Sequence, residues 1–343
     1  MIGSPLQPDR YYPVSAYYRR RFGAKVYKVG VSVARSCPSR QGALGAGVCI
    51  FCDEWGSAAY HRSAALSLAS QIRLHRERIR RRYRAEKFLV YFQAYTNTFT
   101  AAGKLEKLCR QALAEKDVIG LVIGTRPDCL PTPVVALLAR LAKQHYLSVE
   151  LGLQTLDDGQ LRFLSRGHDR ACSFAALEKL AVHAEIDVCA HLMFGLPGEG
   201  DEQLRETAAC INRSGIAGVK LHNLHVLKGT PLEEKYIRGE FRPIGREEYA
   251  RRVGLFLEHL SPAVAVHRLS AVASRWDRLV APSWVREKMG SNQYIIDYLA
   301  RNDLWQGKAL GSAAPGGGGP GGEFLQAPAV AGGKPLSGEI KWA

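Results

Sequence analysis

The sequence contains no apolar run long enough to span a membrane. A helix that crosses a bilayer needs ~20 consecutive apolar residues, and polar or charged residues interrupt every apolar stretch of this chain before that length. The segment 1–23 is polar, aromatic and arginine-rich, so it lacks the apolar centre of a secretory signal. These absences predict a chain that works in the reducing cytoplasm, where clustered thiols serve metals or catalysis more often than disulfides.

Acidic residues are in short supply. The 343-residue chain carries 32 aspartates and glutamates against 47 lysines and arginines, which gives a formal net charge of +15. Such an excess predicts an anionic partner or substrate, RNA among them, although a solvated basic surface would give the same count. With 46% hydrophobic residues the chain can bury a substantial core, and its length suits one large α/β domain or two smaller ones.

Three of the eight cysteines lie close together in the glycine-rich stretch CPSRQGALGAGVCIFC. Cys49 and Cys52 form a C-x-x-C pair, and eleven residues separate Cys37 from Cys49. Soft thiolates select zinc, copper(I) or an iron–sulfur cluster. Because no fourth cysteine or histidine lies nearby as an obvious ligand, three ligands would leave one iron of a [4Fe–4S] cluster open to an outside ligand. The remaining cysteines are predicted to be small buried residues: Cys109, Cys129, Cys172, Cys189 and Cys210.

Short apolar segments alternate with amphipathic helical ones through most of the chain. The predicted strands span residues 26–33, 88–92, 118–123, 148–153, 188–194 and 218–226. Strands that alternate with helices form a parallel sheet with right-handed crossovers. The pattern predicts an α/β fold, a partial (β/α)6 barrel resembling an incomplete TIM barrel, with a doubly wound open sheet as the alternative. A later segment at 263–269 can extend the sheet.

The predicted domain organisation has four parts. Residues 1–24 form a basic and aromatic segment, either a helix over the barrel entrance or a flexible arm; 25–230 form the core barrel; 231–310 form a C-terminal extension that packs on it; and 311–343 form a glycine- and proline-rich tail predicted to be disordered. A helix predicted at 61–84, starting near Ser63, ends in a basic stretch with seven arginines between Arg73 and Arg84. They form either a phosphate-binding stripe or a solvated helix face.

Polar residues follow the predicted strands, at the end where parallel α/β folds gather their functional groups. Gln93 follows the second strand, and Arg126 and Asp128 follow the third, where they are assigned to substrate. These two residues can also simply pair with each other. Glu150 and Gln154 share one face of the fourth strand, where a buried carboxylate needs a ligand or a neighbouring cation such as arginine.

The fifth and sixth strands end in glycines and histidines. In HLMFGLPGEG, Gly195 permits close approach to a ligand and Glu199 starts the next helix, although the stretch also suits an ordinary loop and helix start. A group of histidines and cations, predicted to face one opening, is assigned to the substrate: His222, His225, Lys228, His267 and Arg268. Such groups suit phosphate or carboxylate, although a lone histidine on a strand is more often structural.

Together these motifs resemble the radical S-adenosylmethionine (radical SAM) superfamily. The resemblance runs from residue 25 to 279 and rests on the cysteine loop, FQAYTNTF, GTRPDC, ELGLQT, SRGH, HLMFGLPGEG and KLHNLH. The chain looks most like the YhcC-type branch, which is similar to the radical SAM domain of the elongator catalytic subunit. The first cysteine gap departs from the C-x-x-x-C spacing common in the superfamily, and the elongator-like branch widens this gap too.

The resemblance implies a [4Fe–4S] cluster on Cys37, Cys49 and Cys52, whose open iron chelates the amino and carboxylate groups of S-adenosylmethionine. One electron, from a partner such as flavodoxin or ferredoxin, would cleave the sulfonium to methionine and a 5′-deoxyadenosyl radical that abstracts hydrogen from the substrate. The resemblance also implies a set of residues that line the S-adenosylmethionine pocket: Gln93, Glu150, Gln154, Arg166, Gly195 and Glu199.

Other functions stay open beside this one. A radical SAM protein that binds or modifies tRNA follows by analogy with the elongator subunit and from the basic composition. A zinc-stabilised, non-catalytic binding protein would use the same three cysteines with a remote fourth ligand. A cluster protein without catalysis would serve as a scaffold.

Overall fold

Seven parallel strands form one sheet, as the alternation of strands and helices predicts. The computed structural model describes residues 9–34, 36–42, 47–56, 65–273 and 276–313. The strands in chain order are β1 (Val26–Val31), β2 (Lys87–Phe92), β3 (Val118–Thr125), β4 (Tyr146–Gln154), β5 (Ile186–Phe194), β6 (Gly218–Asn223), β7 (Val226–Leu227), β8 (Ala265–Arg268) and β9 (Leu279–Ala281). The large sheet has the order β1–β2–β3–β4–β5–β6–β8, and each neighbouring pair is parallel.

The strand order decides between the two predicted architectures. It runs in sequence from β1 to β6 without the reversal that defines a doubly wound sheet, so the sheet is a curled half-barrel. The prediction of a partial TIM-like barrel is confirmed. β8 comes from the segment predicted at 263–269, and it gives the sheet one strand more than the six of the predicted barrel.

Helices cover the outer face of this half-barrel. In chain order the helices of the described chain are α1 (Val14–Phe22), α2 (Leu68–Tyr83), α3 (Ala102–Leu113), α4 (Thr132–Ala142), α5 (Asp158–Phe163), α6 (Arg170–Ala181), α7 (Asp201–Arg213), α8 (Pro231–Ile237), α9 (Arg246–His259) and α10 (Lys288–Arg301). α1 is the exception to this placement, because it contacts the lumen side of the sheet edges. α2 packs on β1, α3 on β3, α4 on β4 and α6 on β5. Each crossover therefore returns over the same side of the sheet, and the opposite side faces a lumen.

The first helix joins the two edges of the half-barrel. α1 packs against both β1 and β8, and Pro13, just before the helix, bridges to Val266 of β8. Tyr18 is buried, and its ring lies 6.1 Å from the Tyr146 ring and 6.3 Å from the His267 ring, centroid to centroid. Of the two predictions for the N-terminal segment, the helix is therefore the one found from Val14 onward. Residues 1–8 lie outside the described residues.

The central strand β4 has two buried faces. All nine of its residues are buried, so the strand reads as a continuous core element. Leu147, Val149 and Leu151 belong to the main apolar core under the helices. Side chains alternate along a strand, so Ser148 and Glu150 face the lumen. The lumen is where the polar residues of the sheet gather.

The C-terminal part packs on the end of the barrel. α9 occupies the segment predicted at 246–259 and packs against α7 and α10. The antiparallel pair β7–β9 and the helix α8 were not predicted, because their strands have only two and three residues and the helix only seven. The proposed domain boundary near residue 230 stays a prediction. The tail predicted at 311–343 lies outside the described residues from 314 onward.

The long basic helix α2 starts later than the sequence predicts. The helix predicted at 61–84 begins at Leu68, because the Ser67 hydroxyl caps it by accepting a hydrogen bond from the Ser70 N–H at 3.2 Å. The predicted start near Ser63 falls outside the described residues.

Among the described residues, no helix is both long and apolar enough to cross a membrane.

Candidate active site

The cysteine loop lies directly beyond the end of β1. Cys49 is buried, and Cys37 and Cys52 are half-buried. A turn brings the Cys52 N–H to 3.1 Å from the Cys49 carbonyl oxygen, and hydrogen bonds from Ile50 to Leu164 and from Leu232 to Ile50 fix this turn against its neighbours. All eight cysteines are free thiols, and of the five predicted to be small buried residues Cys172 is only half-buried.

Two arginines converge on the Cys49 sulfur. Arg166 Nη1 lies 3.4 Å and Arg126 Nη1 lies 3.7 Å from Cys49 Sγ, and the Ser39 hydroxyl lies at 3.9 Å. Burial raises the pKa of the Cys49 thiol, but Arg166 and Arg126 outweigh it and leave the pKa below its usual value. A thiolate is the form that binds metal, so these arginines favour the form of Cys49 that a metal site would require.

Cys52 has a different environment. Burial raises the pKa of its thiol to about 11, although Arg40, with Nη2 3.6 Å from the sulfur, opposes the shift. The Arg40 guanidinium also lies 5.7 Å from the centre of the Tyr95 ring, which holds it over the loop. Metal binding at Cys52 must therefore displace a proton, whereas Cys49 is already biased toward the thiolate.

Arg126 and Asp128, assigned to the substrate from the sequence, form a two-pronged ion pair. Arg126 Nε and Nη2 lie 2.8 Å and 2.7 Å from the two Asp128 carboxylate oxygens. Arg126 also donates to the Ser39 hydroxyl and to the Arg166 carbonyl oxygen. The pairing that the sequence offered as the alternative is present, and it orients Arg126 toward Cys49. Their role in substrate binding stays a prediction.

A second corner of the site joins Arg166 to the end of β4. Arg166 Nη2 donates to the Gly152 carbonyl oxygen at 3.0 Å. A Cβ atom on Gly152 would lie 2.9 Å from Gln154 Nε2 and 3.4 Å from Arg166 Nη2, so only glycine leaves room for both side chains. Gln154 takes a left-handed backbone, with φ at 70°, where the strand ends. Gln93 follows β2 at the same edge of the sheet.

The loop after β5 is closed by its own glutamate. Glu199 accepts a hydrogen bond from the Gly195 N–H at 2.8 Å and pairs with Arg252. Its side chain is only 3% exposed, and burial raises the pKa of the carboxyl. Gly195 has φ at 89°, and a Cβ there would lie 2.6 Å from Ile244. Glu199 therefore holds the loop in shape, and any effect on a ligand passes through the loop backbone.

Glu150 lies deeper, inside the lumen, and protein partners satisfy it. Its carboxylate oxygens lie 2.5 Å from Lys28 Nζ, 2.6 Å from Lys220 Nζ and 2.6 Å from His191 Nε2. Burial raises the pKa of the Glu150 carboxyl, but Lys220 and Lys28 outweigh burial and hold it well below its usual value. The sequence analysis expected Glu150 to meet either a ligand or a neighbouring cation, and it gave arginine as the example of that cation. The two lysines were missed, although both fall on alternating positions of predicted strands.

The five residues assigned to the substrate near the last strands do not all face one opening, and this part of the prediction needs correction. Arg268 Nη2 lies 2.7 Å from the His222 ring nitrogens, and His267 Nδ1 lies 2.9 Å from Lys28 Nζ. These residues lie in the lumen. His225 Nδ1 lies 3.3 Å from the Asn223 carbonyl oxygen, and burial lowers the pKa of His225, with Arg268 adding to the shift, so this histidine stays near the group. The Lys228 side chain is the exception, because it is exposed beside β9.

A bulge explains how two consecutive residues of β8 reach the lumen. Val219 pairs with Val266, and the next residue, Lys220, pairs with Arg268. His267 is therefore an extra residue on β8 that has no pairing partner on β6. In a regular strand, neighbours point to opposite faces. The bulge removes that alternation and places both side chains on the inner side.

One described group of three ligand-type side chains also lies in the lumen. Ligand atoms of Glu150, Cys189 and His267 lie within 4.8 Å of one another. The Lys28 ammonium already contacts both the Glu150 carboxylate and His267 Nδ1, so a cation occupies the place a metal would take. Within the described residues, no group of this kind includes a cysteine of the loop.

Two sequence-family models and a close relative match most of this chain. The sequence model of the radical SAM superfamily matches residues 31–211, and that of the radical SAM C-terminal domain matches residues 216–301. Protein YhcC of Escherichia coli K12 is 38% identical over 296 residues, which cover 85% of this chain and 93% of YhcC.

Two further proteins show how far the likeness extends. A tRNA uridine(34) acetyltransferase of Methanocaldococcus jannaschii is 31% identical over 152 residues, 43% of this chain and 27% of that protein. The structure of archaeal Methanocaldococcus infernus Elp3, lacking its N-terminus, aligns with a TM-score of 0.62 at 19% identity, over 82% of this chain and 64% of that one, and so shares the fold. The chain is an enzyme of the radical SAM type: it belongs to the radical SAM superfamily, in the family of YhcC.

Proposed function

We propose that this chain cleaves S-adenosylmethionine reductively and directs the resulting radical to an anionic substrate. The observation that carries the proposal is the convergence of Arg126 and Arg166 on Cys49, at the edge of the sheet where Gln93 and Gln154 also lie. When bound, a [4Fe–4S] cluster supplies the electron that converts S-adenosylmethionine into methionine and a 5′-deoxyadenosyl radical.

The thiols fit such a cluster by their chemistry. Cys37, Cys49 and Cys52 are free, and soft thiolates are the ligands that iron–sulfur clusters require. Three thiolates bring three negative charges into a half-buried loop, and nearby guanidinium groups offset them. Arg166 contacts the Cys49 sulfur and Arg40 the Cys52 sulfur. These cations lower the cost of holding thiolates away from water.

The strand ends supply the rest of the proposed cofactor pocket. Gln93 and Gln154 offer amide groups, and Arg166 offers a guanidinium to the polar end of S-adenosylmethionine. Glu199 accepts a hydrogen bond from the Gly195 N–H and so fixes the backbone that forms this side of the pocket. Glu150 sits deeper and orders the lysines of the lumen.

Reconstitution tests the proposal. The full chain is loaded anaerobically with iron and sulfide, reduced with dithionite or a flavodoxin or ferredoxin, and supplied with S-adenosylmethionine; 5′-deoxyadenosine is measured by mass spectrometry. Product is expected from the wild type and from Cys172→Ala, whose thiol lies on α6, and none from Cys49→Ala. A full cluster without product would favour the scaffold alternative. A colourless protein with stoichiometric zinc would overturn the proposal.

A second candidate function, tRNA binding, is favoured by the arginines of α2. Arg76 and Arg80 turn toward Glu77, Glu115 and Asp117 and are paired. The others are exposed, although Arg73 Nη1 also lies 3.9 Å from a Glu115 carboxylate oxygen. We call them the α2 arginine face: Arg73, Arg78, Arg81, Arg82 and Arg84. The 31% identity to a tRNA uridine(34) acetyltransferase adds weight, because that relative is named for tRNA.

Salt dependence tests this candidate. The affinity for tRNA is measured at several salt concentrations. If the α2 arginine face contacts tRNA phosphates, replacing Arg78, Arg81 and Arg82 together with glutamine makes the plot of log association constant against log salt less steep, by roughly 2 to 3. Arg110→Gln, on the exposed side of α3, is the matched control and leaves the slope unchanged. No tRNA binding by the wild type at low salt would reject the candidate.

A further inference from the structure

The lumen contains a cluster of charged and aromatic side chains that the cysteine loop does not use. We call it the lumen cluster, and its members come from six strands of the sheet: Lys28, Tyr91, Glu150, His191, Lys220, His222, His267 and Arg268. α1 closes the cluster from below through Tyr18, whose ring lies 5.9 Å from Lys28 Nζ. Among the described residues, α1 therefore covers the end of the lumen opposite the loops that follow the strands.

The charges of the lumen cluster do not balance. Three side chains are cations, and Glu150 is the carboxylate that faces them. Lys28 and Lys220 both donate to Glu150, at 2.5 Å and 2.6 Å. Arg268 forms no ion pair with a carboxylate of the described residues. The cluster thus holds an excess of positive charge away from bulk water, a state that costs free energy unless an anion joins it.

Arg268 is held in place by neutral groups. Its Nη2 lies 2.7 Å from the His222 ring nitrogens, and its Nε lies 3.3 Å from the Leu221 carbonyl oxygen. Burial, with Arg268 next in effect, keeps the pKa of His222 well below its usual value, so the imidazole stays neutral. Within the described chain, Nη1 of Arg268 donates to no protein acceptor. The planar guanidinium is thus oriented but not neutralised.

Lys220 completes the same wall. It aligns with Arg268 across the β6–β8 pair, and its Nζ lies 3.2 Å from the Tyr91 hydroxyl and 4.7 Å from the centre of the Tyr91 ring. Burial lowers the pKa of Lys220 to about 8, although Glu150 opposes the shift. An anion beside Lys220 and Arg268 would favour the charged lysine and satisfy both cations at once.

We propose that Arg268 and Lys220 bind the oxyanion of a small-molecule substrate, a carboxylate or a phosphate, inside the lumen. A guanidinium matches either group with two parallel N–H donors, and the lysine adds a point charge. The lumen favours a small molecule over a nucleic acid, because the α2 arginine face lies on the outer layer with the sheet between. This inference deepens the proposed function, since a substrate held here lies within the barrel whose rim carries the cysteines.

Anion binding by the full chain tests the inference without S-adenosylmethionine. Titration calorimetry at constant ionic strength in chloride is run with inorganic phosphate and, separately, with acetate. The wild type is expected to bind at least one of them, and the better probe identifies the type of oxyanion. Arg268→Gln is expected to weaken anion binding about 10-fold or more. Arg268→Lys is expected to weaken it less, because lysine keeps the positive charge but loses the two parallel N–H donors of the guanidinium.

Two controls decide where the anion sits. Arg110→Gln, on the exposed side of α3, is expected to bind like the wild type; loss there with Arg268→Gln unaffected would overturn the inference. Arg268→Lys keeps a cation in the lumen, so it answers the question even if Arg268→Gln does not fold. Equal affinity of Arg268→Lys and wild type for both anions, or no binding above chloride, would also overturn it.

The test separates this inference from the proposed function. A chain that forms 5′-deoxyadenosine but binds no anion through Arg268 keeps the proposed reaction and loses the substrate class. A chain that binds an anion through Arg268 but never cleaves S-adenosylmethionine keeps the lumen site and loses the reaction.

Discussion

The two faces of β4 are equally buried but are held by opposite chemistry. On the outer face, Leu147, Val149 and Leu151 pack into the apolar core beneath the helices. On the inner face, Glu150 is surrounded by two lysines and a histidine. Burial alone therefore does not distinguish a structural position from a chemical one in this barrel. The partners do, since one face depends on volume and the other on charge balance.

The largest difference between the faces is expected when the charge balance is broken. Glu150→Ala leaves Lys28 and Lys220 without their shared carboxylate, and the free energy of unfolding is expected to fall by about 3–5 kcal/mol. Chemical denaturation measures this loss. Adding Lys220→Met to Glu150→Ala removes one of the stranded cations and is expected to restore part of the stability. A double variant no more stable than the single one would contradict the charge argument.

A matched change on the outer face tests volume instead. Leu151→Ala is expected to cost about 3 kcal/mol, because it leaves a cavity under the helices. The loss is expected to be the same at every pH, and no second substitution of a charged residue should relieve it. If Lys220→Met rescued Leu151→Ala as well, the two faces would not be energetically separate.

Acid sharpens the comparison, because the inner face excludes protons. Burial and then Lys220 lower the pKa of His191 to about 4, against an unfolded value of ~6.5. Between these two pH values, His191 binds a proton in the unfolded chain but not in the folded chain. The free energy of unfolding therefore falls as pH falls from ~6.5 to about 4, by up to ~1.4 kcal/mol per pH unit for this group.

Denaturation at several pH values checks this slope. His191→Gln is expected to reduce it, whereas His145→Gln, at an exposed position before β4, is expected to leave it unchanged. Leu151→Ala should shift the whole curve without changing its slope. An unchanged slope in His191→Gln would show that the histidine titrates freely in the folded chain.

The smallest effect is expected at Ser148, also on the inner face. Its hydroxyl is buried without a hydrogen-bond partner among the described residues. Ser148→Ala removes this unsatisfied group, so stability is expected to stay level or to rise by up to ~1 kcal/mol. Thermal unfolding compares the two proteins. A clear loss of stability would mean that the hydroxyl has a partner in solution.

The sequence predicts the frame of this barrel because its signals are local. Alternating periodicity locates β4 and its neighbours, and the ends of parallel strands must meet at one edge. The same logic places Gln93 and Gln154 near the cysteine loop. The alternative that the sequence left open for Glu150, a carboxylate paired with a cation, is present, since any buried carboxylate requires a partner. Its assignment to the S-adenosylmethionine pocket stays a prediction.

The rest depends on contacts between distant segments. Lys28 meets Glu150 only because β1 and β4 curl toward each other, and nothing near either residue in the sequence indicates it. His267 and Arg268 share the lumen through a bulge, which depends on pairing with β6. Lys228 was misplaced because its distance from His225 in the sequence suggested proximity, whereas β7 turns it toward β9.

The helix that spans the open side of the half-barrel couples segments that are made far apart in time during synthesis. Pro13 and α1 leave the ribosome before any strand of the sheet, but β8, which they bridge through Val266, is made only after the other six strands. The lumen therefore stays open on one side, with its lysines exposed to water, until nearly the whole described chain has emerged. Such a contact between distant positions slows folding, so the closing of the barrel is expected to be a late step.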